Sequence, residues 1–331
     1  MNLNLKQKKI LKLLSINCRF SNKDIGKSIG LSEDAVAYQI DKLINKEKLA
    51  NFNVQFFHPM LGYDSYHLWL RLKDDNLKKF KEIKQIHSIN RSQGRFDLQL
   101  LVFAKSQRDF LKTLRKIKKI NSIQEIKFSK LEKIGKSFSN IIPPIDVDIE
   151  IPKNNKKFEY ALNTPLYPLA DFSKRIKIDA TDKKLINQLL KKPRATFQEL
   201  SHATKINHET IRYRLKNYVK DKLITNFGLI HDYQKYGLFV NYFLVKVDKK
   251  KLNEKNLLKY LNSKINVFYC PKLEGDYDYI IYVASENPIE LGKINSEIRK
   301  SLDKSIKELD LLFMGETLKY EQFPAELLDK K

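Results

Sequence analysis

The sequence is poor in the residues that build cross-links and metal sites. Its 331 residues include only two cysteines, Cys18 and Cys270, and six histidines. Two thiols cannot assemble a disulfide framework or a zinc cluster, and free thiols suit a reducing cytoplasm. The histidines show no metal-binding spacing such as His-Glu-x-x-His, and neither a phosphate-binding loop nor a dinucleotide fingerprint is present. We therefore expect a cytoplasmic protein that is not an enzyme and carries no cofactor or metal.

Long apolar runs are missing as well. The longest, such as residues 98–104, have the length of a strand and fall far short of the roughly 20 residues that cross a membrane. The N-terminus carries lysines but no apolar core, so we expect no signal peptide. These absences predict a protein without a membrane partner.

Acidic residues are also scarce. Asp and Glu number 39 against 63 Lys and Arg, which leaves a formal net charge of +24. A surface this basic attracts polyanions, above all nucleic acids, because Lys and Arg neutralise phosphates and release counterions. A coding bias toward A+T-rich codons, which enriches Lys, Asn and Ile, would give the same composition without selection for binding. Charge alone therefore leaves both explanations open.

What the chain does contain is an internal repeat. A shift of 175 residues places residues 8–62 on residues 183–237 without a gap. With a further slip of six residues, the turn Gly-Arg-Phe-Asp at 94–97 falls on Gly-Asp-Tyr-Asp at 275–278. Identical residues at equivalent positions include Arg19 and Arg194, Tyr38 and Tyr213, and Phe52 and Phe227. The chain is therefore two copies of one unit.

Within each copy the periodicity of apolar residues changes once. Helical spacing over residues 5–49 predicts three helices, and Ser32 is the expected N-cap of the third. Strand-like stretches and two further helices follow in the order βαββαβ, which is the ferredoxin-like arrangement. The predicted fold class is α+β, with each winged helix-turn-helix followed by a ferredoxin-like domain.

The repeat divides the chain into five segments. We expect helix-turn-helix domains at residues 1–54 and 178–230, ferredoxin-like domains at 55–134 and 231–328, and a proline-containing linker at 135–177. Inside the linker, residues 145–151 alternate strictly between apolar and acidic side chains. This pattern predicts a strand that pairs along a sheet edge. A solvated acidic linker is the alternative.

The third helix of a helix-turn-helix enters the major groove of DNA. In the second copy, Ile211, Leu215 and Tyr218 fall on one side of this helix and would anchor it. The other side and its flanks carry groups that suit phosphates and base edges. These candidate DNA-binding residues are Asn207, His208, Thr210, Arg212, Tyr213, Arg214, Lys216 and Asn217.

The corresponding helix of the first copy is more acidic. Glu33 and Asp34 complement the helix dipole in its first turn, but they would repel phosphates. The candidate DNA contacts that remain are Ser32, Tyr38, Gln39 and Lys42. We therefore expect the second copy to be the stronger reader. Tyr38 and Tyr213 are candidates either for base contacts or for packing between domains.

This order of elements resembles the Lrp/AsnC, or feast/famine, family of transcriptional regulators. The resemblance is carried by the helix-turn-helix with Ser32, Val36, Ile40 and Leu43, by Leu61-Gly62 and Tyr236-Gly237 before the sheet domains, and by the Gly-x-aromatic-Asp turns. It implies a sequence-specific regulator that binds double-stranded DNA. The duplication would make the chain an intramolecular pseudo-dimer, which homo-oligomerisation would extend. Where the family often has a glycine after the reading helix, this chain has Glu47 and Lys222.

The resemblance also implies a small effector, often an amino acid, near the Gly-x-aromatic-Asp turns. The implied effector-binding residues are Gly275, Asp276, Tyr277 and Asp278 and, less directly, Gly94, Arg95 and Asp97. Glycine lets the backbone approach a ligand closely, and aspartate can bind an ammonium group. The alternative is a β-turn glycine with an aspartate that organises the hairpin.

Two other classes share parts of this pattern. Sirohaem decarboxylases resemble paired Lrp/AsnC units with a tetrapyrrole between the sheet domains, and a chromatin-like DNA-coating protein would be equally basic. An enzyme on this fold that no longer binds DNA has no need of several cations on its third helix. The presence of Arg212, Arg214 and Lys216 on one helix therefore favours a regulator. A coating protein would show almost no preference for one DNA sequence over another at matched salt.

Overall fold

The computed structural model describes residues 3–75, 77–120, 122–136, 141–152 and 175–321. Within these ranges the chain forms two compact units. The helix-turn-helix unit contains residues 3–57, 141–152 and 176–237, and the sheet unit contains the other described residues. Both helix-turn-helix domains thus lie in one unit and both sheet domains in the other. No helix of the described ranges has the length and apolar character needed to span a membrane.

The two copies have the same series of elements, which confirms the predicted α+β fold class. In chain order, those of the first copy are α1 (Leu5–Ile16), α2 (Asn22–Ile29), α3 (Glu33–Ile40), β1 (Ala50–Phe56), β2 (Asp64–Leu72), α4 (Lys78–Glu82), β3 (Ile86–Gln93), β4 (Leu98–Ala104), α5 (Gln107–Lys118) and β5 (Ile123–Lys136). Those of the second are α6 (Ala180–Lys191), α7 (Phe197–Thr204), α8 (His208–Lys220), β6 (Ile224–His231), β7 (Phe239–Val247), α9 (Glu254–Ser263), β8 (Val267–Gly275), β9 (Tyr279–Ser285), α10 (Pro288–Leu302) and β10 (Ile306–Tyr320).

The helices of the helix-turn-helix unit begin at side chains that accept a hydrogen bond from the first turn. The caps of α1, α2 and α3 and those of α6, α7 and α8 occupy equivalent positions of the repeat: Asn4, Ser21 and Ser32, and Asp179, Thr196 and Asn207. Such caps satisfy backbone amides that would otherwise lack an intrahelical partner. The N-cap predicted at Ser32 is therefore confirmed.

The strands β1 and β6 join the two helix-turn-helix domains as an antiparallel pair. Asn53 lies opposite Gly228, which is its own counterpart in the repeat. Because equivalent residues face each other only at a two-fold axis, the pairing is centred on a local two-fold relation between the copies. The register then places Phe52 opposite Leu229 and Val54 opposite Phe227.

Two arginines, Arg19 buried and Arg194 half-buried, make a matching contact from opposite sides of this junction. Arg19 donates to the carbonyl oxygens of Pro193 and Ala195 at 2.6 and 2.7 Å, and its counterpart Arg194 donates to that of Phe20 at 3.1 Å. Each guanidinium also lies 5.2 Å from the centre of a phenylalanine ring of the other copy. Reciprocal contacts of this kind are typical of two-fold symmetric interfaces between separate subunits, and here they lie within one chain.

In the sheet unit, eight antiparallel strands close on themselves. Within each copy the strand order is β3-β4-β2-β5 and β8-β9-β7-β10, as a ferredoxin-like domain requires. The last strand of each copy then pairs with the other copy, so β5 pairs with β8 and β10 with β3. Helices α4 and α5 cover one apolar cluster and α9 and α10 another, while Trp69 and Tyr277 meet edge to face at 5.2 Å between the copies.

The strand predicted at residues 145–151 is absent, so that prediction was wrong. Pro143–Ile145 forms a single short helical turn, and no strand pairing follows it within residues 146–152. Instead Ile145 is fully buried, and Lys12 of α1 binds Asp146 at 2.7 Å and the carbonyl of Val147 at 2.8 Å. The segment does alternate between apolar and acidic residues, but it contacts α1 and not the edge of a sheet. Linker residues 137–140 and 153–174 lie outside the described ranges.

Candidate nucleic-acid interface

The reading helix of the second copy, α8, has the two faces that its sequence predicted. Ile211, Leu215 and Tyr218 are buried and anchor it. Asn207 caps the helix by accepting a hydrogen bond from the amide of Glu209 at 2.8 Å. Four of the predicted DNA-binding residues are exposed along the helix, namely Thr210, Arg212, Tyr213 and Lys216. His208 and Asn217 are half-buried beside them.

Arg214 differs from the other predicted DNA contacts because it faces the protein. Its guanidinium binds Asp182, and it reaches Asp179 at 2.8 Å, both at the N-terminus of α6. The hydroxyl of Tyr218 donates to the same Asp182 carboxylate. Hydrogen bonding to Asp182 raises the pKa of Arg214 above its usual value, despite the opposing effect of burial. Arg214 therefore holds α8 against the N-terminus of α6.

Arg212 is held far more loosely than Arg214. It forms an ion pair with Glu209 at 3.0 Å, one turn earlier on the same helix, and lies 5.7 Å from the ring centre of Phe197. Both partners of this ion pair are more than half exposed. Exposed pairs contribute little stability, typically below about 1 kcal/mol, so a phosphate or base edge can replace Glu209 as the partner of Arg212.

In the first copy, the predicted contacts are more strongly tied to the protein. Ser32 caps α3, and Gln39 accepts a hydrogen bond at 3.1 Å from Gln7 of α1. Lys42 lies 3.8 Å from Glu47 in a partly exposed ion pair. Tyr38 projects from the helix, with Lys46 positioned 5.7 Å from its ring centre. Most of the predicted contacts of this copy thus bind other groups of the protein.

The tyrosines at equivalent positions of the two reading helices both face solvent. Tyr38 is 60% exposed and Tyr213 66% exposed. A residue that packs between domains would be buried, so this exposure favours the alternative of contact with an external partner. An aromatic ring with a hydroxyl at its tip offers stacking area and a hydrogen-bonding group at once.

The turns on either side of the reading helices contain lysines in a left-handed backbone conformation. The turn before α3 has Gly30 at φ +67°, whereas the equivalent residue before α8 is Lys205 at φ +59°. After the reading helices, the left-handed residues are Lys48 in the first copy and Lys222 in the second. The two positions are one residue out of step because α3 continues into a π-helical turn, Asp41–Lys46, that takes up an extra residue.

The strained lysines after the reading helices could not be predicted from the sequence. A side chain in this conformation costs on the order of 1–2 kcal/mol, and glycine is the usual residue there. Only the alignment of Gly30 with Lys205 carried a signal, because it places a lysine where the other copy has glycine at a helix end. The turns that contain Glu47 and Lys222 thus adopt the left-handed conformation at Lys48 and Lys222, without a glycine.

The two Gly-x-aromatic-Asp turns are held by contacts within the protein. Asp97 accepts a hydrogen bond from the amide of Leu72 at 2.7 Å, and Asp278 accepts the equivalent one from Val247 at 3.0 Å. Gly275 has φ +145°, and a Cβ there would lie 2.6 Å from a backbone carbonyl oxygen of β5. These contacts agree with the alternative in which the aspartates organise the hairpins.

The middle residues of these turns also have partners within the protein. Arg95 binds Glu125, Glu308 and Asp310 at 3.0–3.3 Å. Asp276 accepts a hydrogen bond from the amide of Phe128 at 2.8 Å, and the hydroxyl of Tyr277 donates to Asp310 at 2.8 Å. A ligand at these turns would have to displace one of these contacts.

The helix-turn-helix regions match models of known domains. Residues 6–44 match the AsnC-type helix-turn-helix domain, and residues 178–225 match a winged helix-turn-helix DNA-binding domain. The chain thus contains two helix-turn-helix DNA-binding domains.

Similar proteins of known class show the family of the chain. The transcriptional regulator FL11 of Pyrococcus horikoshii is 32% identical over 121 residues, which are 36% of this chain and 78% of that protein. The regulator Ptr1 of Methanocaldococcus jannaschii is 28% identical over 102 residues, or 29% of this chain and 69% of that protein. The chain belongs to the Lrp/AsnC family of helix-turn-helix transcriptional regulators.

A solved structure matches the chain over nearly its whole length. The sirohaem decarboxylase NirDL aligns with a TM-score of 0.57 and covers 95% of this chain and 92% of its own. The sequence identity is only 13%. This likeness shows a shared fold and does not carry the chemistry of the decarboxylase over to this chain.

Proposed function

We propose that this regulator recognises specific sequences of double-stranded DNA as an intramolecular pseudo-dimer, with α8 as the stronger reading helix. The observation that carries the proposal is the two-fold related pair of helix-turn-helix domains, each with an exposed tyrosine at the same position of its reading helix. Two readers on one such frame suit half-sites about one helical turn apart. In this proposal the chain is organised as the five segments predicted from the repeat. The lysines with a left-handed backbone are further candidates for phosphate contacts.

The two copies differ in how many cations on the reading helix can exchange a contact within the protein for a contact with DNA. Arg212 and Lys216 lie exposed on α8, whereas their counterparts in the first copy are Ala37 and Asp41, and α3 begins with Glu33 and Asp34. A carboxylate near a phosphate is repelled, while a good bidentate contact from arginine to a base contributes about 1–3 kcal/mol. We infer that the first copy adds affinity and the second copy adds most of the sequence preference.

The proposal is tested by selecting bound sequences from a random DNA pool and then titrating variants on the selected site at matched salt. Arg212→Ala should weaken binding about tenfold or more, and Lys42→Ala clearly less. Arg108→Ala, which removes the same charge from an exposed position on α5, is the matched control and should leave affinity nearly unchanged. Equal losses in all three variants would show a basic coating protein, and an unselective pool would reject sequence-specific binding altogether.

Effector control and further assembly into homo-oligomers also belong to this proposal. An amino-acid effector near Gly275–Asp278 or at Gly94, Arg95 and Asp97 would have to compete with the backbone amides and side chains that these residues already bind. Calorimetric titration with the twenty amino acids tests the idea. Binding that is lost in Asp276→Asn but retained in Asp303→Asn, an exposed residue elsewhere in the sheet unit, would support it.

A further inference from the structure

The two Gly-x-aromatic-Asp turns rest on the last strand of the opposite copy at matching places. A Cβ at Gly94 would lie against Leu311 and Leu312 of β10, and a Cβ at Gly275 against Phe128 and Ser129 of β5. This places Leu311 and Phe128 at equivalent positions of the two strands. The residues that precede them, Asp310 on β10 and Lys127 on β5, are therefore equivalent too.

The charges at these two places are opposite in sign. At the first turn, Arg95 binds Asp310 at 3.0 Å and Glu308 at 3.2 Å. At the second turn, the residue equivalent to Arg95 is Asp276, and it lies 3.5 Å from Lys127. One junction thus has a cationic turn on an acidic strand, and the other has an acidic turn on a strand with a lysine. The four side chains are between a quarter and about a third exposed, so solvent screens them only in part.

The buried layer between the copies has a second one-sided contact. The amide of Gln99 on β4 donates to the hydroxyl of Tyr282 on β9 at 2.6 Å, and both side chains are buried. The residue equivalent to Gln99 in the second copy is Ile280, and the residue equivalent to Tyr282 in the first is Leu101. The hydrogen bond therefore exists only between unlike copies, and burying either group without a partner is costly.

We propose that these contacts make the two sheet domains selective for each other. Pairing of the first sheet domain with the same domain of another chain would replace Asp310 by Lys127 beside Arg95, with Glu125 in the place of Glu308. It would also leave Gln99 facing Leu101. Pairing of two second domains would bring Asp276 to Asp310. Both like-with-like pairings are thus disfavoured by repulsion or by an unpaired buried group, which is how specific interfaces exclude wrong partners. The occupant of each surface is the other sheet domain of the same chain, whether or not the protein binds DNA.

The test reverses the charges of the paired turn and strand residues without changing the net charge of the full chain. The turn exchange combines Arg95→Asp with Asp276→Arg, and the strand exchange combines Lys127→Asp with Asp310→Lys. Each alone makes pairing within the chain repulsive and pairing of like domains from two chains attractive. The fourfold variant, which carries both exchanges, restores complementary signs within the chain. Local losses, such as that of the hydrogen bond from Phe128 to Asp276 in the turn exchange, recur in the fourfold variant and cancel in the comparison of all four proteins.

Mass by light scattering over a range of concentrations and unfolding by urea supply the two measurements. Each single exchange should form interchain pairs at an at least tenfold lower concentration than the parent chain, and the fourfold variant should return toward the parent. High salt should reduce the difference, since it screens partly exposed charges. Exchanges that act additively, including a fourfold variant that fails to fold, would overturn the proposal, as would single exchanges that assemble like the parent chain.

Discussion

Replacement of His67 should remove a defined part of the acid sensitivity of the sheet unit. His67 lies on β2 beside Trp69, with 6.3 Å between the ring centres, and is only 7% exposed. Burial lowers its pKa from 6.5 to about 4. Between these two values an unfolded chain takes up a proton that the folded protein excludes. The stability is therefore complete above pH 6.5 and is lost as the pH falls toward 4.

The size of the effect follows from the two pKa values. At pH 5 the free energy of unfolding should be lower than at pH 7.5 by about 2 kcal/mol on account of His67. His87 adds a similar amount at this pH, because burial, helped by the charges of His58 and Lys319, lowers its pKa to about 3. The parent chain should thus lose about 4 kcal/mol between the two pH values, and His67→Phe about 2 kcal/mol.

Trp69 gives the assay its selectivity, because it is the chain's one tryptophan and is fully buried in the sheet unit. Urea titrations followed by its fluorescence at pH 7.5 and 5.0 yield the two free energies for each protein. Phenylalanine suits the site because the equivalent residue in the second copy, Tyr242, is also a buried ring. His208→Gln, on the surface of α8, is the control and should lose as much as the parent. If His67→Phe also loses as much as the parent, the buried neutral imidazole is not a source of acid sensitivity.

Three further variants probe residues with positive φ. Gly275→Ala should destabilise the sheet unit by about 3 kcal/mol or more, because its Cβ would lie 2.6 Å from the carbonyl oxygen of Phe128, whereas Gly237→Ala meets no neighbour and should cost only about 1 kcal/mol; similar losses in urea titrations would reject the steric explanation. Lys205→Gly should leave the helix-turn-helix unit as stable or up to about 1 kcal/mol more stable in thermal melts, since it relieves φ +59°, and should weaken DNA binding. A less stable variant would contradict this account.

The sequence was sufficient to predict most of the fold because the repeat made each local pattern visible twice. The helix cap at Ser32 and the apolar stripe of α8 depend on residues within one or two turns of each other. Such short-range patterns survive in any tertiary setting. The order of strands followed from the same periodicity, since the ferredoxin-like arrangement leaves few other ways to place them.

Contacts between distant residues were beyond this reasoning. A helical wheel places Arg214 on the polar side of α8, but Asp182, which lies 32 residues earlier, binds it and turns it inward. The alternation at residues 145–151 is equally true of a strand and of an extended segment fixed by Lys12. In both cases the local pattern was read correctly, and the partner that decides its meaning lies far away in the sequence.

The two junctions between the copies differ in whether they can distinguish a like copy from an unlike one. In the helix-turn-helix unit, Arg19 and Arg194 are identical and make the same contact twice, so this junction would fit like copies as well as unlike ones. In the sheet unit, Arg95 and Asp276 occupy equivalent positions with opposite charge, and the contacts cannot be made by like copies. A chain with only symmetric junctions could exchange domains with its neighbours. Partner choice in this protein therefore resides in the sheet unit, and the helix-turn-helix unit can keep the two-fold relation that a DNA site with two half-sites requires.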